Sequence, residues 1–240
     1  MTVWGSHNDS ISGGHINYPA HDSMNASVMK FIYSVAQSVL KPLSRILYKH
    51  QVYGLEHIPI GPAILAANHT SYLDVMLIGA SCPDELHWLA DEWLFRVKWL
   101  RSVIVALNAH SVSERGSRLG AIRQAGKVLA AGGKVALFPE GVRSRDGSIG
   151  DVRAGVGLLA ARYDAPVVPT YVHGPHTIWN RDSMFPNLSG RTACVFGAPL
   201  VFKEQNHNPE AYQAFANQVK DALENLQQVY ITTLSRHNDV

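Results

Sequence analysis

Apolar residues step by three or four through the segment that begins at Met24. Val28, Ile32, Val35, Val39, Leu43 and Ile46 share one helical face. The spacing predicts helix from Met24 to Lys49. Pro42, which lacks an amide donor, predicts its division into a pair of helices. Every formal charge between Ser23 and Leu55 is positive: Lys30, Lys41, Arg45 and Lys49. A basic amphipathic pair suits an anionic membrane interface, apolar face down, and suits equally well packing on its own domain.

Beyond it, short apolar runs alternate with amphipathic stretches. Ala63–Ala67 reads as a buried strand ending at Asn68-His69, and Tyr72–Ala80 as a helix opened by Ser71. Strands follow at Leu86–Ala90, Lys134–Phe138, Pro166–Val172 and Thr192–Phe196. Trp93–Leu107 is apolar with interspersed Arg and Lys. Helices are expected at Leu119–Ala131, stopped by Gly132-Gly133, at Val152–Tyr163, and at Pro209–Leu234. Tyr212, Phe215, Val219, Leu223 and Leu226 line one face of the last. Strands alternating with helices of this length predict an α/β fold: a mostly parallel central sheet flanked by helices, preceded by the amphipathic pair.

Composition narrows the function classes. The chain has 240 residues, enough for a core without disulfides or metals. Charged residues make up 17%, below the roughly 25% of typical soluble domains, which hints at an apolar patch, a partner or a membrane. A net charge of +2 is too balanced for a dedicated nucleic-acid binder, so no nucleic-acid partner is expected. Cys82 and Cys194 form no CxxC pair and read as buried thiols of a reducing compartment. No run of 18 apolar residues supports a spanning helix. The first 23 residues hold no Lys or Arg and no apolar core. They read as a disordered tail, not a secretory signal.

Two segments carry candidate chemistry. In Asn68-His69-Thr70-Ser71-Tyr72-Leu73-Asp74, His69 falls at the C-terminal end of a strand, where open α/β sheets bind ligands. Asp74, five residues on, can fold back across the strand-to-helix turn. It would fix the tautomer of His69 and leave the other ring nitrogen as a general base. The same residues also spell a capping box, Ser71 with Asp74. In Phe138-Pro139-Glu140-Gly141-Val142-Arg143-Ser144-Arg145-Asp146-Gly147, a buried strand enters a loop with a carboxylate and two arginines, whose forks suit phosphate oxygens. Glu140 could hold an arginine or accept a substrate hydroxyl, and the whole stretch is also ordinary turn material.

Together and in this order, NHTSYLD and FPEGVRSRDG resemble the glycerolipid acyltransferases, the glycerol-3-phosphate and 1-acylglycerol-3-phosphate acyltransferases. The likeness runs from about Gly54 to Pro199 and includes Val152-Arg153-Ala154-Gly155 and Ala165-Pro166-Val167-Val168-Pro169. It implies that a fatty acyl group moves from an acyl thioester to a hydroxyl of a lysophosphatidic acid or related glycerophospholipid precursor. His69 and Asp74 match the family's catalytic pair, His69 as base and Asp74 as its orienter. Glu140, Gly141, Arg143 and Arg145 match the acceptor-binding block, with Asn68 and Arg115 as further substrate-binding candidates. No metal or redox cofactor is implied; acyl-CoA or acyl carrier protein would be the co-substrate. The implied place is peripheral, on the cytoplasmic face of a membrane, with residues 24–50 as interface helices and 51–240 as the acyltransferase domain.

Two blocks depart from the family. Asp91 stands where a lysine is common. Asn108–Arg115 lacks the usual glycine-rich Asp-Arg block, and Arg115 matches only with a one-residue slip. Both changes bear on acceptor identity. They also favour the competing reading, a non-catalytic lipid-surface protein on the same scaffold. A thioesterase, with water as acceptor, would have no use for the two arginines.

Other motifs are weaker. Gly155-Val156-Gly157-Leu158-Leu159-Ala160 spells G-x-G-x-x-A without the strand before it, and reads as close helix packing. His173-Gly174-Pro175-His176 lacks a third ligand and reads as a loop near the active site. No G-x-S-x-G elbow is present.

Overall fold

The structure, a computed structural model, describes residues 26–91, 104, 107–112 and 118–234. In chain order the elements are α1 (Ala26–Tyr48), β1 (Gln51–Tyr53), β2 (Ala63–Ala67), α2 (Leu73–Ser81), β3 (Leu86–Asp91) and β4 (Ala109–Val112). Then come α3 (Arg118–Ala130), β5 (Lys134–Leu137), α4 (Gly155–Tyr163), β6 (Val167–His173), α5 (Pro175–Ile178), β7 (Ala193–Phe196) and α6 (Pro209–Val229).

The seven strands form one sheet in the order β1-β7-β6-β2-β5-β3-β4. All pairs are parallel except β6 with β7. The central strand β2 is buried along its whole length. Its side chains alternate: Ala63, Leu65 and Ala67 face one core with Leu77, Ile78 and Phe196. Ile64 and Ala66 face the other, with Val156, Leu159, Phe215 and Val219. A strand apolar on both faces needs helices on both, which is why this short run sits in the middle of a parallel sheet.

The alternation read from the sequence is realised, and two strands were not visible in it. Gln51–Tyr53 is only three residues long, and the pattern of Ala109–Val112 is mixed. Both are edge strands held by one neighbour. The sequence of small residues in α4 packs as expected: a Cβ on Gly157 would strike the Tyr212 carbonyl of α6. That close approach, and not a nucleotide, accounts for the G-x-G spelling.

The N-terminal pair is corrected. Residues 26–48 form one helix with Pro42 inside it. Tertiary contacts outweigh the lost hydrogen bond: Gln37 Nε2 donates to the carbonyls of Gly79 and Cys82, both at 2.9 Å, and the Tyr33 hydroxyl accepts from the Leu86 amide at 3.1 Å. Near the proline, the Ser44 hydroxyl donates to the Lys41 carbonyl at 3.0 Å. The buried face of α1 is Met29, Tyr33, Ser44 and Tyr48. Most of the predicted stripe points outward: Val28, Val35, Val39, Leu43 and Ile46 are exposed, joined by Phe31, while Ile32 is half-buried. The polar tail, Trp93 and Trp99, and the Glu114-Arg115 block lie outside the described residues.

His50 locks α1 and α2 to β7. Ser81 Oγ donates to the Leu77 carbonyl (2.7 Å), so it accepts from His50 Nε2–H at 2.8 Å. His50 Nδ1 then accepts from the Thr192 hydroxyl at 2.8 Å. Burial, aided by the charge of Arg45, pushes His50 down to about 4. The unfolded chain therefore binds a proton that the fold refuses. Stability from this neutral ring is complete above pH 6.5 and is lost as pH falls toward 4. His173, also lowered by burial, acts in the same sense. The expected result is a melting temperature that falls across this window, with a shallower fall in His50→Gln. Thermal melts at stepped pH check it; parallel slopes would refute the assignment.

Candidate active site

Three neighbouring strands, β5, β2 and β6, end at the same edge of the sheet, and the candidate residues gather there. The chain leaves β2 at Asn68, enters the turn His69–Tyr72 and begins α2 at Leu73. Asp74 lies in the first turn of that helix and is fully buried. Its Oδ2 collects three donors: His69 Nδ1 at 2.9 Å, the Thr70 amide at 2.7 Å and the Ser71 amide at 2.8 Å. Only half of the expected capping box forms: Asp74 reaches back to the Ser71 amide, while Ser71 Oγ accepts from the Leu73 amide at 3.1 Å. The carboxylate that orders this turn also holds the imidazole.

The same geometry sets the tautomer. A carboxylate oxygen can only accept, so Nδ1 keeps its hydrogen and donates it to Asp74, which leaves Nε2 with its lone pair. Among the described residues nothing hydrogen-bonds Nε2. The His69 ring is further fixed by stacking on Phe138, with centroids 3.8 Å apart and planes 11° apart. The side chain is 19% exposed, enough for one edge to meet a substrate.

The second motif is joined to the first directly. Glu140 Oε1 accepts from the His69 amide at 2.8 Å and Oε2 from the Gly150 amide at 2.9 Å. The Ser144 amide donates to the His69 carbonyl at 2.8 Å. Glu140 therefore shapes the loop: both of its oxygens accept from backbone donors, and among the described residues neither grips an arginine. Burial pushes its carboxyl above the ordinary value of 4.5, opposed by those two amides and by His69. Gly141 has φ 76°, so the backbone demands glycine; the exposed Arg153 guanidinium, 2.8 Å from its Cβ position, is a flexible neighbour that could move aside.

Arg143 lies over the Tyr72 ring, its guanidinium carbon 3.7 Å from the centroid. Its Nη1 is buried and without a hydrogen-bond partner among the described residues. A buried guanidinium N–H that no protein oxygen satisfies is a donor ready for an anionic ligand. Arg145 is exposed on the same loop.

Asn68 is placed differently from expectation. It is 1% exposed; Nδ2 donates to the Val172 carbonyl at 3.1 Å, and Oδ1 accepts from the Val172 amide at 2.7 Å. It ties the ends of β2 and β6 together, and so positions His69 from below without reaching the acceptor. Arg115 lies outside the described residues.

Sequence reasoning missed four contributors: Phe138 as the platform of His69, Tyr72 as the shelf of Arg143, and Trp179 and Arg181. Ser71 Oγ donates to the Trp179 carbonyl at 2.6 Å, the Trp179 ring lies 5.0 Å from Tyr72, and Arg181 Nη1 approaches the Arg143 carbonyl at 3.4 Å. Phe138 and Tyr72 stood inside the motifs already singled out. Trp179 and Arg181 are about a hundred residues from Ser71 and carried no local signal.

A model of the family described as Acyltransferase matches residues 49–173, more than half of the chain, and spans every residue of the two motifs. The chain belongs to the Acyltransferase family. Among its relatives is the 1-acyl-sn-glycerol-3-phosphate acyltransferase of Bacillus subtilis (strain 168), 26% identical over 180 residues, or 74% of this chain and 87% of the relative. A chloroplast 1-acyl-sn-glycerol-3-phosphate acyltransferase of Arabidopsis thaliana is 29% identical over 53% of this chain. The match spans only 36% of that plant protein and 38% of its Brassica napus counterpart. The crystal structure of the Thermotoga maritima 1-acyl-sn-glycerophosphate acyltransferase superposes with a TM-score of 0.69 at 24% identity, over 84% of this chain and 82% of that one. The shared fold is thus the acyltransferase α/β sheet, with His69, Asp74 and the Glu140–Arg145 loop at one edge.

Proposed function

We propose that this acyltransferase moves a fatty acyl group from a thioester, acyl-CoA or acyl carrier protein, to the free hydroxyl of lysophosphatidic acid or a closely related glycerophospholipid precursor. The observation that carries it is the joining of the two motifs: His69 with an Nε2 and Arg143 with an Nη1 that no described residue engages, on loops bonded to each other. The names of its relatives point to the same acceptor.

In this reading His69 Nε2 takes the proton of the acceptor hydroxyl as that oxygen attacks the thioester carbonyl. The tetrahedral intermediate expels the thiolate, and the imidazolium returns the proton to that sulfur. Asp74 stabilises the imidazolium and keeps Nδ1–H turned toward itself. Arg143 and Arg145 hold the acceptor phosphate, placing its hydroxyl at Nε2. Glu140 supports the loop through the His69 and Gly150 amides.

Peripheral attachment at the cytoplasmic face of a membrane belongs to the same proposal. No helix among the described residues is long and apolar enough to cross a bilayer. The outward stripe of α1, with Phe31 68% and Ile46 77% exposed and Lys30, Lys41, Arg45 and Lys49 along the helix and at its end, suits the plane of an anionic interface. Incubation with labelled acyl thioesters of both donor types and a panel of lysolipids, read by mass spectrometry, tests the whole. Diacyl phosphatidate is the expected product; free fatty acid alone, or no turnover, would overturn the proposal.

A further inference from the structure

The segment after β6 lies beyond the matched family region and builds one wall of the site. It is tightly organised. Trp179 Nε1 donates to the Ser183 carbonyl at 3.1 Å; the Asn180 side-chain oxygen accepts from the Asp182 amide at 2.9 Å and from the Ser183 hydroxyl at 3.0 Å. The Asn187 amide donates to the Ile178 carbonyl at 3.0 Å. This bonded frame holds three large apolar side chains away from the protein: Met184 is 81% exposed, Phe185 78% and Leu188 74%. On the facing loop Val142 is 60% exposed. Exposed apolar side chains grouped in this way mark a contact surface for a partner or a membrane.

The cluster stands next to cationic groups. Arg181 reaches the Arg143 carbonyl, and Arg145 is exposed two residues further on. Of the nearby carboxylates, Asp146 is held in its own turn by the hydroxyls of Ser144 and Ser148, and Asp182 follows Arg181. Apolar tips beside guanidinium groups match the two layers of an anionic leaflet, hydrocarbon and phosphate.

We propose that Met184, Phe185 and Leu188 insert into the surface of an anionic bilayer and bring the mouth of the site to headgroup level. This contact is separate from α1. It rests on the reading of the acceptor as a membrane lipid, and it explains how such an acceptor reaches Arg143 without leaving the leaflet entirely. Trp179, half-buried behind the tips, forms the base of the contact through its bonds to Ser71 and Ser183.

The test uses the full chain. Both native cysteines are buried, and burial pushes the Cys82 thiol up to about 11, so an introduced cysteine is labelled selectively. Phe185→Cys carrying an environment-sensitive dye is titrated with phosphatidylcholine vesicles, with and without phosphatidylglycerol. Blue-shifted emission and quenching by brominated lipid, stronger on the anionic vesicles, are expected. An unchanged spectrum overturns the proposal, as does a shift that follows protein concentration without vesicles, which would mark contact with a second copy.

The variant Met184→Ser/Phe185→Ser/Leu188→Ser is then assayed with lysophosphatidic acid presented in vesicles and with a short-chain monomeric analogue. Its apparent KM should rise at least about tenfold in vesicles and stay near wild type with the monomer. Equal losses on both would mean a damaged site, not a lost contact. If wild type acylates neither form, the reading of function fails, while the dye still reports on the loop by itself.

Discussion

Replacing His69 with alanine is expected to reduce acyl transfer by about 10²–10⁴-fold, the usual contribution of a positioned general base. The fold should persist. His69 is partly exposed; its loss removes a ring stack on Phe138, worth roughly 0.5–1.5 kcal/mol, and one of three bonds to Asp74 Oδ2, whose Thr70 and Ser71 amide donors remain. Purified His69→Ala with a melting transition close to wild type and turnover lowered by about 10²–10⁴-fold is the expected result. Wild-type turnover would show that Nε2 takes no proton. Asp74 offers a poorer experiment, because its Oδ2 also serves the amides of Thr70 and Ser71. Truncating it strands buried donors at about 1–3 kcal/mol each, so lost activity and lost fold would be confounded.

Replacing Arg143 with alanine should raise the acceptor KM roughly 10- to 100-fold and leave the thioester KM nearly unchanged, since hydrogen bonds to a charged group contribute about 1.5–3 kcal/mol. Arg143→Lys should recover only part of this. Lysine keeps the charge but lacks the planar fork that lies on Tyr72 and presents Nη1. Steady-state kinetics with each substrate varied in turn separate the two constants. A variant weakened only toward the thioester would move Arg143 from the acceptor to the donor. The two substitutions together distinguish proton abstraction from acceptor grip: the first lowers kcat with binding retained, the second the reverse.

Much of this site was legible in the sequence because its parts are local. His69 and Asp74 are five residues apart across one turn, so strand end, turn and imidazole–carboxylate hydrogen bond are written in a single heptapeptide. The arginine loop is equally contiguous. A buried strand such as Ala63–Ala67 announces itself by an unbroken apolar run, as a strand covered on both faces does. The short edge strands gave no such signal, since a three-residue strand is specified by its neighbour and not by its own pattern.

Helix α1 shows where local rules stop. Its periodic stripe was visible, and its direction was not. Periodicity finds an apolar face but cannot say whether that face meets a core or a membrane. Here a second face, built on Met29, Tyr33 and Tyr48, takes the core and turns Phe31 and Ile46 outward. Pro42 predicted a break that bonds from Gln37 to the α2 terminus prevented.

What the amino-acid sequence determined on its own is the chemistry within reach of a few residues: a carboxylate beside an imidazole, guanidinium groups on a glycine turn, and apolar runs that must become buried strands. Only the tertiary structure decided that Glu140 serves the His69 amide, that Asn68 is a buried tie, and that Trp179 and Arg181 close the site. The physical reason is distance along the chain. These contacts join residues about forty to a hundred apart, and no local propensity encodes a hydrogen bond until the sheet order has brought β2, β5 and β6 side by side.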